Sequence, residues 1–266
     1  MRVGVLWLRD RDRPATPLLV DDHGSTSDAV SESRPSHALR YALPKRAADI
    51  VLAALMLVLL MPLMLLIAVS IKLESAGPVF YRSRRVGIRG EEFSMLKFRK
   101  MHRDAAGPPL TARDDERLTR LGSLLARTKL DELPQLWNVI RGDMSVVGPR
   151  PEDPNFVAIY PDEYHVVLTV RPGITGLSQL AFAKESVILE RPELAGTYAE
   201  RLLPAKIGID SLYVARRSLA MDMHILLWTV GAIVAGLDVA VDRENGSLSV
   251  RRRTDRTRQV VGERAT

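Results

Sequence analysis

The longest apolar run in the chain extends from Ile50 to Ile71, 22 residues without a charge, closed by Asp49 before it and Lys72 after it. As a straight helix it would measure about 33 Å, close to the hydrocarbon thickness of a bilayer. A buried core helix usually keeps one polar face, and this run is apolar all round, so the pattern predicts a membrane segment. Pro62, near its middle, lacks an N–H and clashes with the carbonyl four residues back, which predicts a bend. Basic residues stand on both sides: Arg40, Lys45 and Arg46 before the run, then Lys72, Arg82, Arg84 and Arg85 after it. Basic residues favour the cytoplasmic side, so a crossing helix would put one of these groups on the disfavoured side. A segment over residues 45–76 that enters, bends at Pro62 and returns to the same face satisfies both groups. The expectation is therefore a re-entrant, monotopic helix, with a single crossing as the alternative.

Elsewhere the periods are shorter. Residues 77–101 carry aromatic and apolar residues in brief runs around Gly87 and Gly90, which predicts a β-hairpin. Leu118, Leu121, Leu124 and Leu125 recur at helical steps, and a second helical piece, LDELPQLWNVI, begins near Leu130 with Pro134 suited to its first turn. RGDMSVVGPRPEDP and RPGITG read as ordered loops. Residues 204–237 are helical again and end in the apolar run Ile225–Leu237, too short to span and suited to a core or interfacial position. The first 44 residues have no sustained period beyond a short strand candidate at Val3–Leu8. Roughly residues 10–40 read as a mobile extension, and residues 241–266 as a mobile Arg-rich tail. The whole is an α+β, predominantly helical fold: a membrane helix over 45–76, a catalytic domain over 77–240 with a small hairpin, and amphipathic interfacial helices.

Composition narrows the chemistry. Across 266 residues, 46% hydrophobic and 26% charged, the chain can bury a core and is not a many-span transporter. It has no cysteine, which removes disulfides and thiolate chemistry, and its five histidines show no pair at metal-ligand spacing. The net charge of +6 points to an anionic partner, and the stretch from Arg82 to Arg103 holds eight Lys or Arg against two acids. No nucleic-acid recognition motif accompanies this charge.

Asp131 and Glu132 lie at the start of the LDELPQLWNVI piece, followed by Arg141 and Arg150 and preceded by the 82–103 cations. A carboxylate can attack phosphorus to give an acyl phosphate, a neighbouring carboxylate can hold Mg²⁺, and arginines can bind the remaining oxygens. The plainer reading is that the two acids simply complement the dipole at a helix start. Spacing alone favours the plainer reading.

Taken together and in order, the strings KRAAD (45–49), GPVFYRSRRVG (77–87), KFRKM (97–101), RLTRLG (117–122), LDELPQLWNVIRGDMSVVGPRP (130–151) and RPGITG (171–176) closely resemble the bacterial sugar transferases, the monotopic polyprenyl-phosphate phosphoglycosyl transferases. The spacing of Asp210, Tyr213, Ser218 and Asp222 continues the likeness, which covers roughly residues 45–235. The resemblance implies a ping-pong reaction at the cytoplasmic face of the inner membrane. Asp131 would attack the β-phosphorus of a UDP-sugar, releasing UMP, and polyprenyl phosphate would then carry the sugar phosphate away. Glu132, with Asp131, would hold Mg²⁺. Arg150, Lys97 and Arg99 are implied phosphate contacts. Lys45 and Arg46 are expected to anchor the membrane helix near the lipid phosphate, and downstream glycosyltransferases would extend the product in exopolysaccharide or other glycan assembly.

The chain departs from the family pattern in places. Where members carry an arginine five residues before the aspartate, this chain has Ala126, with Arg127 beside it as the candidate contact; Ser83 replaces a usual glutamine, and Met61 precedes Pro62 where serine is frequent. Ala126 gives weight to a second reading, a catalytically inactive membrane-attached scaffold of the same fold. The sugar is not assignable to any of these strings.

Overall fold

The long apolar run is the middle of a single helix. α1 spans Pro35–Glu74 and passes through both Pro44 and Pro62, so the bend expected at Pro62 does not divide it into two helices. It is seen in a computed structural model that describes residues 35–103, 105, 115–183, 196 and 198–251. Among the described residues, α1 is the one helix long and apolar enough to cross a membrane, and only 11% of its most apolar window is buried. Val51, Leu55, Val58, Leu65, Leu66 and Val69 stand exposed along it.

The stretches that flank the apolar run behave differently from the run itself. Directly before the run, Asp49 is buried and accepts hydrogen bonds from Ser145 Oγ at 2.7 Å and Val146 N at 3.1 Å. Arg46 donates to the carbonyls of Val139 and Ile140 at 2.8 and 3.1 Å. Near the other end, Ile67 and Ile71 pack with Phe98 and Leu125, and Glu74 accepts the Leu121 N–H at 2.9 Å. Arg99 donates to the carbonyls of Ser75 and Ala76, just past the helix, at 2.8 and 2.6 Å. Both flanks of the apolar run, at Arg46 and Asp49 and at Ile67–Ala76, are thus bonded to one compact body, residues 41–250.

The hairpin expected over 77–101 is present. β1 (Phe80–Val86) pairs antiparallel with β2 (Glu92–Phe98), Phe80 opposite Phe98 and Val86 opposite Glu92. α2 (Arg120–Thr128) begins at Thr119, whose hydroxyl accepts the Gly122 N–H at 2.8 Å, a cap that satisfies one of the orphan donors of the first turn. A tight turn over Leu130–Glu132 then leads into α3 (Gln135–Arg141), which ends at Gly142 with φ 101°, the left-handed closure glycine permits.

The two Gly-Pro loops are neighbours in space. β3 (Ser145–Val147) and β4 (Gly173–Thr175) pair in parallel, and beyond them Gly148 N donates to Thr175 O at 2.9 Å and Gly173 N to Pro149 O at 2.7 Å. A Cβ at position 173 would lie 2.1 Å from Gly148 N, and one at 148 would lie 2.7 Å from Arg171 O. The backbones approach this closely because neither residue has a side chain. Gly173→Ala must push the loops apart, and we expect it to destabilise the protein by about 2 kcal/mol. Thermal unfolding in detergent checks this; an unchanged melting temperature would mean the loops separate freely.

The chain continues through α4 (Pro154–Val157), α5 (Pro161–Val167), α6 (Leu177–Ala181), a single π-type turn at Tyr198–Leu202, α7 (Leu203–Arg216) and α8 (Leu219–Val234). The main core gathers Met95, Val139, Met144, Val147, Leu177 and Ile225. α8 buries Asp222 and Ile225 but leaves Met223, Leu227, Val230 and Ile233 exposed. A last hairpin, β5 (Val239–Val241) with β6 (Leu248–Val250), carries the body past residue 240 because Val239, Val241 and Leu248 pack on the main core. The described residues are thus mostly helical with three two-stranded sheets. Most of the N-terminal extension, with its Val3–Leu8 strand candidate, and the tail from residue 252 lie outside them.

Candidate active site

Asp131 and Glu132 occupy the tight turn ahead of α3, preceded by Lys129 in the left-handed region at φ 60°. Their position agrees with a helix-start reading, but their burial adds something a cap does not need. Asp131 is 2% exposed and Glu132 9%. Two adjacent carboxylates can be removed from water only if cations come with them.

Those cations come from β2 and from the proline-flanked loop after β3. Lys97 Nζ lies 3.2 Å from Glu132 Oε1, and Arg150 Nη2 lies 3.0 Å from the same oxygen. Lys100, just beyond β2, places its Nζ 3.7 Å from Asp131 Oδ2. Burial works against the charged form of Glu132, yet Arg150 and Lys97 outweigh it and hold the carboxyl well below the ordinary range. Burial also pushes the Lys97 ammonium down to about 8, Glu132 pulling against that shift and Arg150 adding to it. Asp131 Oδ1 is buried and accepts no hydrogen bond.

Asn138 sets the spacing between the acids and Lys97. Wholly buried on α3, its side chain accepts the Leu96 N–H at 3.0 Å and donates to Ser94 O at 2.9 Å and Asp143 Oδ2 at 3.0 Å. The amide thus pairs with the edge of β2 much as a third strand would, and it fixes α3 against the strand that carries Lys97.

A second buried network backs Arg150. Glu152 accepts a hydrogen bond from the Tyr198 hydroxyl and lies 3.5 Å from Lys206 Nζ and 3.8 Å from Arg85 Nη1. Burial opposes the charge on Glu152, but Lys206 and the Tyr198 hydroxyl keep its carboxyl low. Asp210, on α7, is buried, its Oδ1 without a hydrogen-bond partner, and burial pushes its carboxyl up to about 7. The residues that spacing grouped with it serve docking. Ser218 caps α8 by accepting Met221 N at 3.1 Å, while Asp222 accepts from Tyr213 at 2.7 Å and Tyr41 at 2.8 Å.

Of the cations singled out from the sequence, the structure brings Lys97 and Arg150 to the acids and sets the others apart. Arg99 and Arg46 satisfy carbonyls at the ends of α1 and α3. Lys45 lies between Asp49 and Asp222 at 2.9 and 3.1 Å. Arg141 is 57% exposed at the end of α3, 3.6 Å from Asp143, and Arg127 is exposed in the last turn of α2. Sequence reasoning missed Lys100, although it lies inside KFRKM. It also missed Lys129 and Asn138, whose roles depend on a backbone angle and a packing partner that no residue pattern announces.

The donor set also bears on Mg²⁺. Two adjacent carboxylates, one with a buried oxygen that lacks a hydrogen-bond partner, fit a hard cation that takes one or two protein oxygens and completes its shell with water and phosphate. Among the described residues, no group of three or more acidic, His or Cys side chains is gathered that could hold a metal alone.

The profile of the family described as "Bacterial sugar transferase" matches residues 40–236. The chain is 42% identical over 243 residues to the UDP-glucose:undecaprenyl-phosphate glucose-1-phosphate transferase of Caulobacter vibrioides, covering 86% of this chain and 87% of that protein. It is 40% identical over 195 residues to the exopolysaccharide production protein PSS of Rhizobium leguminosarum bv. phaseoli, 70% of this chain and 92% of that one. A UDP-N-acetylgalactosamine-undecaprenyl-phosphate N-acetylgalactosaminephosphotransferase of Aeromonas hydrophila is 37% identical over 203 residues, 74% of this chain and 45% of that longer protein.

Proposed function

Because the chain belongs to the bacterial sugar transferase family and is a sugar-phosphate transferase, we propose that it moves a sugar 1-phosphate from a UDP-sugar to polyprenyl phosphate, through a phosphosugar held covalently on Asp131. The observation that carries this reading is Asp131 itself: 2% exposed, with Lys100 beside Oδ2 and no hydrogen bond to Oδ1. Such a carboxylate keeps lone pairs for an electrophile, and the surrounding cations favour a phosphate there.

In the first step a carboxylate oxygen of Asp131 bonds to the β-phosphorus while the bond from that phosphorus to the bridging oxygen breaks, and the electron pair leaves with UMP. In the second, an oxygen of polyprenyl phosphate attacks the same phosphorus, the acyl-phosphate bond breaks and the carboxylate is restored. Both nucleophiles are anions, so neither step requires a general base. Lys97 and Arg150, oriented by Glu132, stand where they can take the oxygens of the transferred phosphate. Asp131 and Glu132 would hold Mg²⁺, which supplies charge neutralisation at the phosphate oxygens.

The docking of α1 supports a re-entrant placement. A perpendicular span sets the two flanks of its apolar run on opposite sides of about 30 Å of hydrocarbon, whereas here both flanks bond to the same body. The exposed apolar middle of α1 and the exposed face of α8 would meet lipid. So placed at the cytoplasmic face of the bacterial inner membrane, the acids sit at the boundary where a water-soluble nucleotide sugar meets a lipid phosphate. Downstream glycosyltransferases would take the product into glycan assembly, exopolysaccharide among the outcomes.

Two measurements test this. Membranes containing the protein should release UMP from at least one of a panel of UDP-sugars, dependent on Mg²⁺ and on polyprenyl phosphate for sustained turnover; silence across the panel would remove the reading. For topology, the chain's lack of cysteine allows Leu43→Cys and Glu91→Cys to be labelled separately. Both should react with a membrane-impermeant thiol reagent only after the cells are opened. Reaction of one alone in intact cells would establish a crossing helix.

A further inference from the structure

Among the described residues, five buried side-chain nitrogen or oxygen atoms have no hydrogen-bond partner, and two of them stand four residues apart at the acids: Asp131 Oδ1 and Gln135 Nε2. The mechanism above uses the acceptor. It leaves the donor idle. Gln135 is 1% exposed. A buried amide N–H without a partner forfeits its bonds to water and gains nothing from the protein, so its retention points to a ligand that supplies the acceptor.

The backbone puts Asp131 and Gln135 on one face. Leu133 (φ −53°, ψ −36°) and Pro134 (φ −61°, ψ −16°) are both right-handed helical, and Leu136 N and Trp137 N donate to the carbonyls of Leu133 and Pro134. The helical path therefore runs unbroken from the Leu130–Glu132 turn into α3. Residues four apart on such a path are neighbours, their Cβ atoms about 5–6 Å apart. Trp137, which falls on the opposite face, is 51% exposed.

Contacts before and after Gln135 fix what this face meets. Asn138, one turn on, bonds to Leu96 N and Ser94 O. In the turn before, Glu132 meets Lys97 at 3.2 Å and Asp131 meets Lys100 at 3.7 Å. The helical path and β2 thus run side by side in opposite directions. Position 135 falls between the Asn138 clasp and the acids, on the buried side that Lys97 also occupies.

Building on the functional reading above, we propose that the Gln135 side-chain amide donates a hydrogen bond to a non-bridging oxygen of the phosphate that Asp131 attacks. An unpartnered acceptor and an unpartnered donor on adjacent turns are what a phosphate centre requires: one group to reach phosphorus, the other to hold an oxygen bonded to it. The amide is neutral, so it can stand beside the nucleophile without forming an ion pair with it. Held in place by burial, it needs no reorganisation as the Asp131 oxygen closes on phosphorus and the bridging bond breaks, and its contribution should fall mainly on kcat.

The test is Gln135→Met, which keeps the length of the side chain and removes the donor. It should lower kcat for UMP release by about a hundredfold, equally for every UDP-sugar the wild type accepts. Its melting temperature should equal or exceed that of wild type, because no internal hydrogen bond is lost. Gln135→Glu, which exchanges the donor for an anion, should lose at least as much activity. Titrated calorimetrically, UDP should bind Gln135→Met about tenfold more weakly than wild type, whereas UMP, which lacks the attacked phosphate, should bind both alike. Wild-type kcat and wild-type UDP affinity in Gln135→Met would overturn the contact. A clearly lower melting temperature would also overturn it, by giving the amide a structural partner, and a loss confined to one sugar would move the bond from the phosphate to the sugar. A wild-type protein that shows the UDP and UMP contrast but releases UMP from no UDP-sugar would overturn the transfer reaction and leave the phosphate contact standing.

Discussion

Replacing Asp131 with asparagine should lower UMP release from a UDP-sugar by at least about a thousandfold. The substitution keeps the size of the side chain and its place in the Leu130–Glu132 turn. What it removes is the anion whose oxygen would bond to phosphorus, so the loss should fall on kcat. A covalent intermediate also has a signature that activity does not share. Without polyprenyl phosphate, the wild-type enzyme should exchange labelled UMP into UDP-sugar, because the first step reverses by itself, and the variant should not. Digestion after brief exposure to UDP-sugar should yield a peptide containing residue 131 heavier by one phosphosugar. Exchange with no adduct, or an adduct on another residue, would reassign the nucleophile. Turnover in the variant at more than a few per cent of wild type would leave Asp131 with a supporting part only.

Asn138→Leu should destabilise the protein by about 3 kcal/mol, because it strands partners that cannot all reach water. Its side-chain amide satisfies the Leu96 N–H and the Ser94 carbonyl at the edge of β2 and one oxygen of Asp143. Leucine fills a similar volume and answers none of them. For a body of this size the change corresponds to a melting temperature lower by about 6–12 °C. The effect should not stop at stability. Asn138 is the link that holds α3 against β2, and Lys97 on β2 must meet Glu132 at 3.2 Å. The folded fraction of the variant should therefore show kcat/KM for UMP release lowered by tenfold or more, since small misplacements of a charged contact are amplified in rate. A variant that melts and turns over like wild type would show that the strand edge and the acids are positioned by other contacts.

These two results bear on a single arrangement. The cations of the chain divide by what they bind. Lys97, Lys100 and Arg150 face the acids, whereas Arg46 and Arg99 take carbonyls at helix ends and tie α3 and α1 into the body. The second set makes the first useful. They bond both flanks of the exposed apolar run to the body that carries Asp131.

Much of the fold was legible along the chain. The charge-free run at 50–71 predicts its helix because apolarity over that length has few other outcomes, and the short aromatic runs around Gly87 and Gly90 predict the β1–β2 hairpin. Asp131 and Glu132 were found by resemblance rather than by period, since spacing alone favoured a helix cap. The structure adds that both acids are buried, which a helix cap does not need.

What the sequence by itself determined is therefore local: which stretches are apolar, where the chain turns, and which residue types stand beside one another. Hydrophobic period reports burial along one element, and that information survives in one dimension. Only the tertiary structure decided which of many arginines and lysines meets a carboxylate. It alone showed that Asn138 finishes the edge of β2, that Gly148 and Gly173 touch backbone to backbone, and that Lys129 is held left-handed. A charged or amide side chain takes its role from the partner that packing brings within about 3 Å, and these partners come from elements far apart along the chain.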